Sequence, residues 1–139
     1  MGSVQAAVLC DFAQVRDGLL TIVSGGITTL YRSEFPSGLD CYLALVFELP
    51  AFDLDGDHSF SVKVTEIDTA TVVGAIDGNL HPGDLVEQVV GEVLFPAALD
   101  LSPLVVTGPG RYDLSVSLDG EPAQRLTLYV LASPPPLRI

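Results

Sequence analysis

Residues 12–23 read FAQVRDGLLTIV, and this stretch decides the fold class of the chain. Two runs of β-prone residues flank Asp17 and Gly18. An Asp-Gly pair in that setting signals a two-residue β-hairpin, because both central residues of a type I′ turn need a positive φ. The following SGG (24–26) predicts a bend, after which ITTLYR (27–32) resumes the strand. The chain therefore begins as an antiparallel β protein.

The rest of the chain continues this pattern. CYLALVFEL (41–49) is apolar at almost every position and predicts a central strand that is covered on both faces. SFSVKVTEI (59–67) and RYDLSVSL (111–118) alternate, which is typical of strands with one buried face. Another Asp-Gly pair, at 119–120, leads into QRLTLYVLA (124–132). Eight or nine such strands without an amphipathic helix predict an antiparallel, immunoglobulin-like β-sandwich, with a small β-barrel as the alternative.

The sequence predicts one domain over residues 1–132 and an extended, proline-rich tail, SPPPLRI, over 133–139, since prolines cannot donate the hydrogen bonds of a sheet. PAALDLSPLVVTGPG (96–110) is predicted to cross between sheets as an irregular segment. We expect both histidines, His58 and His81, to lie in solvated loops next to turn residues.

Charge excludes two classes of partner. The chain carries 18 acidic and six basic residues, a net charge of −12, and Lys63 is its only lysine. Such a surface cannot neutralise phosphates, so we expect no nucleic acid and no anionic membrane as partners. The first ten residues lack the basic and long apolar regions of a secretion signal. We therefore expect a cytoplasmic protein, with Cys10 and Cys41 as small buried apolar side chains.

The segment AFDLDGDHSF (51–60) places Asp53, Asp55 and Asp57 at the first three ligand positions of a calcium loop. The remaining positions do not match, since the twelfth residue from Asp53 is Val64 instead of a glutamate. An Asp-Gly turn accounts for the same residues. The sequence favours the turn, leaves these three aspartates as weak candidates for calcium, and predicts no other cofactor.

No pattern indicates a catalytic site. The chain contains no G-x-S-x-G motif, and neither cysteine has a basic neighbour in the sequence that would lower the pKa of its thiol. Tyr112 is predicted to be a buried corner tyrosine that bonds to nearby backbone, as is common in β-sandwiches. We expect a protein that is not an enzyme, with a small hydrolase as the lowest-ranked alternative.

Two stretches carry a resemblance. DFAQVRDGLLTIVSGGITTLYRSEFP (11–36) resembles the opening of a family of small bacterial all-β proteins of unknown function, through Val15, Gly18, Leu20 and the Gly25-Gly26 pair. GPGRYDLSVSLDGEPAQRLTLYV (108–130) is similar to the last hairpin of immunoglobulin-like sandwiches. The resemblance implies a bacterial β-sandwich, and it implies no activity or catalytic residue.

These observations predict an interaction module. The chain is 48% hydrophobic and 17% charged, which leaves more apolar surface than one core needs. The segment 126–132 is apolar on both faces, and its outward residues Tyr129 and Leu131 need cover. We expect a protein partner or a homodimer that buries these two side chains. The alternative is an ion- or ligand-binding sandwich that uses the acidic loop.

Overall fold

The computed structural model describes residues 2–50, 56–81 and 92–133. These three ranges form β-strands and contain no helix, and therefore no helix of the length and apolarity that a bilayer requires. The strands lie in two large sheets and a two-stranded ribbon, and those described do not close into a barrel. The prediction of an all-β sandwich is confirmed, and the barrel alternative is wrong.

The first sheet has four strands and is antiparallel throughout. In spatial order it contains β2 (Leu19–Gly25), β1 (Ser3–Arg16), β5 (Tyr42–Pro50) and β8 (Glu92–Asp100). Because β5 lies between two hydrogen-bonded neighbours, the prediction of a central strand at 41–49 is confirmed.

The second sheet has five strands. In spatial order it contains β3 (Thr29–Arg32), β11 (Glu121–Ala132), β10 (Gly110–Leu118), β6 (His58–Glu66) and β7 (Thr71–Leu80). Its pairs are antiparallel except that β3 runs parallel to β11, with Thr29 opposite Tyr129. β4 (Ser37–Gly38) and β9 (Val105–Val106) form a short antiparallel ribbon that is separate from the two large sheets.

The core lies between the two large sheets. Successive side chains of a strand point to opposite faces, so the alternating sequences of β6 and β10 send every second side chain inward. The innermost side chains, each at most 1% exposed, include Leu43, Leu45, Phe47, Leu49, Val62, Val64, Leu114 and Val116. Burial of one such side chain is worth about 1.5–3 kcal/mol relative to exposure, so this layer dominates the stability of the sandwich.

The Asp-Gly turns at 17–18 and 119–120 form as predicted. Asp17 and Gly18 have φ values of 52° and 72°, and they join β1 to β2. Asp119 and Gly120 have φ values of 52° and 81°, and they join β10 to β11. Local turn chemistry therefore sets the register of two hairpins, one in each sheet.

The segment 24–26 bends as predicted, but the strand after it does not resume in the same sheet. Ser24 and Gly26 have φ values of 54° and 95°, and the backbone N–H groups of Gly26 and Ile27 both donate to the carbonyl of Leu9. The chain then crosses to the second sheet, where β3 pairs with β11. The described sheets are antiparallel except at this one pair.

Two further predictions are wrong. Residues 96–100 are not irregular, because they form the second half of β8, with Pro96 opposite Val46. An edge strand tolerates proline, since the missing N–H would have faced away from the sheet. His58 is not in a loop either. It is the first residue of β6 and is 4% exposed.

Two predicted segments, the acidic turn and the proline-rich tail, include residues that the structure does not describe. Asp53, Asp55 and all of the proline-rich tail except Ser133 lie outside the described residues. The tail over 133–139 therefore stays a prediction.

Candidate functional site

The acidic turn retains one of its three candidate ligands within the described residues. Asp57 is exposed, and its Oδ1 lies 2.9 Å from Nδ1 of His81, which is also exposed as predicted. Across residues 2–50, 56–81 and 92–133, no group of three or more His, Cys, Asp or Glu side chains could hold a metal ion. A calcium site at Asp53, Asp55 and Asp57 stays a prediction.

The buried histidine contacts the central hairpin, which consists of β10, β11 and the turn between them. Nδ1 of His58 lies 2.6 Å from Oδ2 of Asp119, and the backbone N–H of Ser59 donates to Oδ1 of the same carboxylate at 2.9 Å. Partial burial acts to raise the pKa of Asp119, but these hydrogen bonds outweigh it and hold the pKa below its ordinary value of 3.8. Asp119 therefore joins the β10–β11 turn to the start of β6.

The two cysteines are buried and free, which confirms their predicted role as small apolar side chains. Burial raises the pKa of the Cys41 thiol to about 11, against a smaller opposing effect of Arg32. A thiol with this pKa is almost fully protonated at neutral pH and is a poor nucleophile.

Tyr112 is the corner tyrosine that the sequence predicts. Its side chain is 0% exposed, and its hydroxyl donates to the backbone carbonyl of Gly108 at 2.6 Å. The hydroxyl is thus used to fix the chain where it enters β10. It is not available as a binding-site phenol.

The most exposed apolar surface is the edge hairpin, defined as residues 11–25 of β1 and β2. The pairing of β1 with β5 ends at Cys10. From residue 11 to residue 24, the two strands of the hairpin pair only with each other. Its exposed apolar side chains, each 40–72% exposed, are Phe12, Val15, Leu19, Ile22 and Val23. The register places Phe12 opposite Val23 and Val15 opposite Leu20, so both faces of the hairpin are apolar.

The edge hairpin is anchored on the outer face of its own sheet. Ala13 is buried with Ala44, and Leu20 and Ala98 pack against them. β2 contacts β8 although β1 and β5 lie between them in the sheet, which means that the sheet is strongly coiled. Alanine at 44 and 98 provides the space for this approach, because a larger side chain would fill it.

A second exposed surface is the aromatic patch, defined as Tyr31, Tyr129 and Leu131. Tyr129 and Leu131 are each 42% exposed, and Tyr31 from β3 lies directly opposite Leu131 at 61% exposure. Arg111 is opposite Tyr129, and its Nη2 donates to Oδ1 of Asp68 at 2.7 Å. The two residues that the sequence singled out therefore lie together, and β3 adds a third.

The outer face of the same sheet also forms a polar groove of about 660 Å³. Lys63 and Arg125 line it on either side of Ser115, in one row across β6, β10 and β11. Arg125 pairs with Asp113 at 3.0 Å, whereas Lys63 has no ion pair within the described part of the chain. The charged side chains that line the groove, Lys63, Arg125 and Asp113, therefore sum to one positive charge.

The sequence profile of a family of unknown function, DUF6941, matches residues 5–131. The chain belongs to the DUF6941 family. The match covers all strands except the first residues of β1 and the last residue of β11. No curated protein matches this chain. Family membership thus confirms the expectation of an uncharacterised family.

The sequence predicts the edge hairpin of this DUF6941 protein as a structural element but does not predict that it forms an exposed surface. The available signal was LLTIV (19–23), five residues without a charge directly after a turn. That run is equally compatible with a buried strand. Its exposure depends on its position at the edge of the sheet, which the local sequence does not reveal.

Proposed function

We propose that this protein is a non-enzymatic β-sandwich that acts through protein–protein contacts and associates with itself. One observation carries the proposal. Of the eleven exposed large apolar side chains in the described ranges, five lie on the edge hairpin and three form the aromatic patch. Concentration of exposed apolar side chains in two places is typical of surfaces that are covered in an assembly.

The distribution of charge supports the same proposal. Two copies of a chain with a net charge of −12 repel each other unless they meet where acidic side chains are absent. Residues 19–31, which include β2 and the start of β3, contain no charged side chain. Arg111 lies opposite Tyr129 at the border of the aromatic patch, and its positive charge offsets the negative charge of Asp68.

The strand order supports an immunoglobulin-like sandwich. The order β1-β5-β8 in one sheet and β11-β10-β6 in the other corresponds to strands A-B-E and G-F-C of that class, and β7 occupies the additional position beside strand C. The hydrogen bond from Tyr112 to Gly108 fits the tyrosine corner at the start of strand F. In this correspondence β2 is an addition at the edge of the first sheet, and it carries three of the eleven exposed large apolar side chains of the described ranges.

The cysteines support a non-enzymatic role in a reducing compartment. Both are free and buried, and the pKa of the Cys41 thiol is far above neutral pH. A cytoplasmic location is consistent with two thiols that stay reduced.

Sedimentation velocity across the micromolar range tests self-association. We expect the mass of the protein to rise to twice that of the chain. Leu131→Ser shifts the equilibrium toward the monomer if the aromatic patch forms the contact, and Val23→Ser does so if the edge hairpin forms it. Val72→Ser is the matched control, because Val72 is 55% exposed on β7, away from both surfaces in the sheet order. A wild-type protein that stays monomeric throughout this range would contradict the proposal.

A further inference from the structure

The four outer strands of the two large sheets differ in how they are protected against pairing with another chain. Natural edge strands are usually blocked by proline, by charged side chains, by bulges or by shortness. In the first sheet, β8 contains Pro96 and has the acidic residues Glu92 and Asp100 at its ends. β8 therefore has two of these protections.

The outer strands of the second sheet are protected as well. β7 carries Asp77, and its ladder with β6 contains a bulge. β3 has four residues and ends at Arg32. β2, by contrast, has seven residues with no proline, no charge and no bulge in its ladder with β1. Among the described edge strands, β2 alone lacks every one of these protections.

The register of the hairpin shows which backbone groups of β2 face outward. A two-residue turn closes on a hydrogen-bonded pair, here Arg16 and Leu19. Bonded and non-bonded pairs then alternate along the ladder. The N–H and C=O groups of Leu20 and Ile22 consequently point away from β1, where no other described strand pairs with them.

Charge indicates which chain would pair with this edge. An unrelated protein partner would bind an acidic protein more favourably if its basic side chains met acidic side chains of this protein at the contact. β2 carries no acidic side chain over its whole length, so it provides no such attraction. A second copy needs none, because two identical antiparallel strands related by a twofold axis present the same apolar side chains to each other.

We propose that β2 of one molecule pairs antiparallel with β2 of a second copy, so that two four-stranded sheets join into one sheet of eight strands. This inference rests on the proposed self-association and specifies its surface. The twofold axis passes near Ile22, the middle residue of β2. Phe12, Leu19 and Val23, which are exposed in the single chain, lie next to the contact and become covered in the dimer.

The decisive variants act on Ile22. Ile22→Pro removes a backbone donor that faces away from β1, so the hairpin keeps its own hydrogen bonds while the contact between copies loses one. Ile22→Lys places a charge at the centre of the same contact. We expect each variant to raise the dissociation constant of the dimer about tenfold or more, measured by sedimentation velocity. Val72→Lys on β7 is the matched control and leaves the dissociation constant unchanged.

Three outcomes separate this inference from the proposed function. A dimer that survives both Ile22 variants but is lost in Leu131→Ser overturns the β2 contact and leaves self-association standing. A monomeric wild-type protein overturns both. A dimer that is lost in both Ile22 variants and retained in Leu131→Ser supports the β2 contact.

Hydrogen exchange of the unmodified protein tests the contact independently of whether the variants fold. In the dimer, the amide hydrogens of Leu20 and Ile22 are bonded across the twofold axis, and on dilution to the monomer they face solvent. We expect their exchange to be slow at concentrations above the dissociation constant and fast below it. Exchange that is independent of protein concentration at these two amides would overturn the inference.

Discussion

The two Asp-Gly hairpins of this protein have the same turn and different surroundings. Beyond Cys10, the two strands of the edge hairpin pair only with each other, whereas the β10–β11 hairpin is flanked by β6 on one side and β3 on the other. Leu19, next to the first turn, is 72% exposed, while Leu128 and Val130 of β11 are 0% exposed. A turn therefore determines a hairpin, and the strands beside the hairpin determine whether it is part of the core or part of a surface.

The largest expected difference between the two hairpins concerns their leucines. Leu128→Ala leaves a cavity in the core and is expected to lower the free energy of unfolding by about 2–5 kcal/mol. Leu19→Ala removes an exposed side chain and is expected to change it by less than about 0.5 kcal/mol. Urea denaturation measures both. Equal losses would contradict the distinction between a core hairpin and a surface hairpin.

The turn glycines provide a smaller contrast. Gly18 and Gly120 both have a positive φ, and a Cβ at either position would meet no atom within 4 Å. Alanine therefore adds backbone strain without a clash, about 1 kcal/mol in each turn. Because the central hairpin unfolds only with the sandwich, Gly120→Ala is expected to lower global stability by this amount.

For Gly18→Ala, the strain can be relieved by local opening of the edge hairpin. We expect a smaller loss of global stability than for Gly120→Ala, together with faster hydrogen exchange restricted to residues 11–25. Exchange that accelerates across the whole sandwich would show that the edge hairpin unfolds cooperatively with the core.

The carboxylate of the central hairpin's turn is also expected to stabilise the fold more than the carboxylate of the edge hairpin's turn. Asp119 accepts hydrogen bonds from His58 and from Ser59, so Asp119→Asn is expected to cost about 1 kcal/mol after allowance for the 43% exposure of its side chain. Asp17→Asn is the matched control at the other turn and is expected to leave stability within about 0.5 kcal/mol of the wild type.

The pH dependence of the Asp119→Asn effect follows from the lowered pKa. A carboxylate whose pKa is lower in the folded state stabilises the protein above its unfolded pKa, and this contribution disappears as the pH falls through the folded value. The stability difference between wild type and Asp119→Asn should therefore be full at neutral pH and vanish well below pH 3.8. Urea midpoints measured from about pH 6 to about pH 2 check this. A difference that grows on acidification would contradict it.

The last contrast concerns an aromatic side chain in each hairpin. Tyr112→Phe removes the hydrogen bond to Gly108 without changing the packing of the ring, and about 1 kcal/mol of stability should be lost. Phe12, in the edge hairpin, contacts Tyr42 edge to face at 5.1 Å. Phe12→Leu keeps an apolar side chain there and should cost less than Tyr112→Phe. Urea denaturation of the two variants compares them.

Much of the fold could be predicted because it depends on local signals. The Asp-Gly turns, the alternation of 59–67 and 111–118, and the continuous apolar run at 41–49 each determine an element by residues that are adjacent in sequence. These features establish a sandwich of antiparallel hairpins. They do not establish which strands lie at its edges.

The wrong predictions all depend on partners that are distant in sequence. Pro96 is tolerated because β8 is an edge strand, and that position results from its pairing with β5. His58 is buried against Asp119, which no local pattern connects to it. β3 belongs to the second sheet because its partner is β11.

The residues of the two candidate surfaces also differ in whether the local sequence could predict them. Tyr129 and Leu131 could be selected from the two-sided apolar character of 126–132. Tyr31, which lies beside them, could not, because it joins the aromatic patch only through the pairing of β3 with β11. The exposure of β2 could not be predicted from LLTIV, since a buried strand has the same composition.

The pairing of β3 with β11 also has a consequence for synthesis of the chain. Thr29 has Tyr129 as its partner, so β3 has no strand to pair with until almost the whole chain has left the ribosome. The edge hairpin needs only local contacts and can form early, whereas closure of the five-stranded sheet is a late, non-local step. During that interval the uncharged segment 19–31 is exposed on every nascent chain, and two chains made side by side present it to each other.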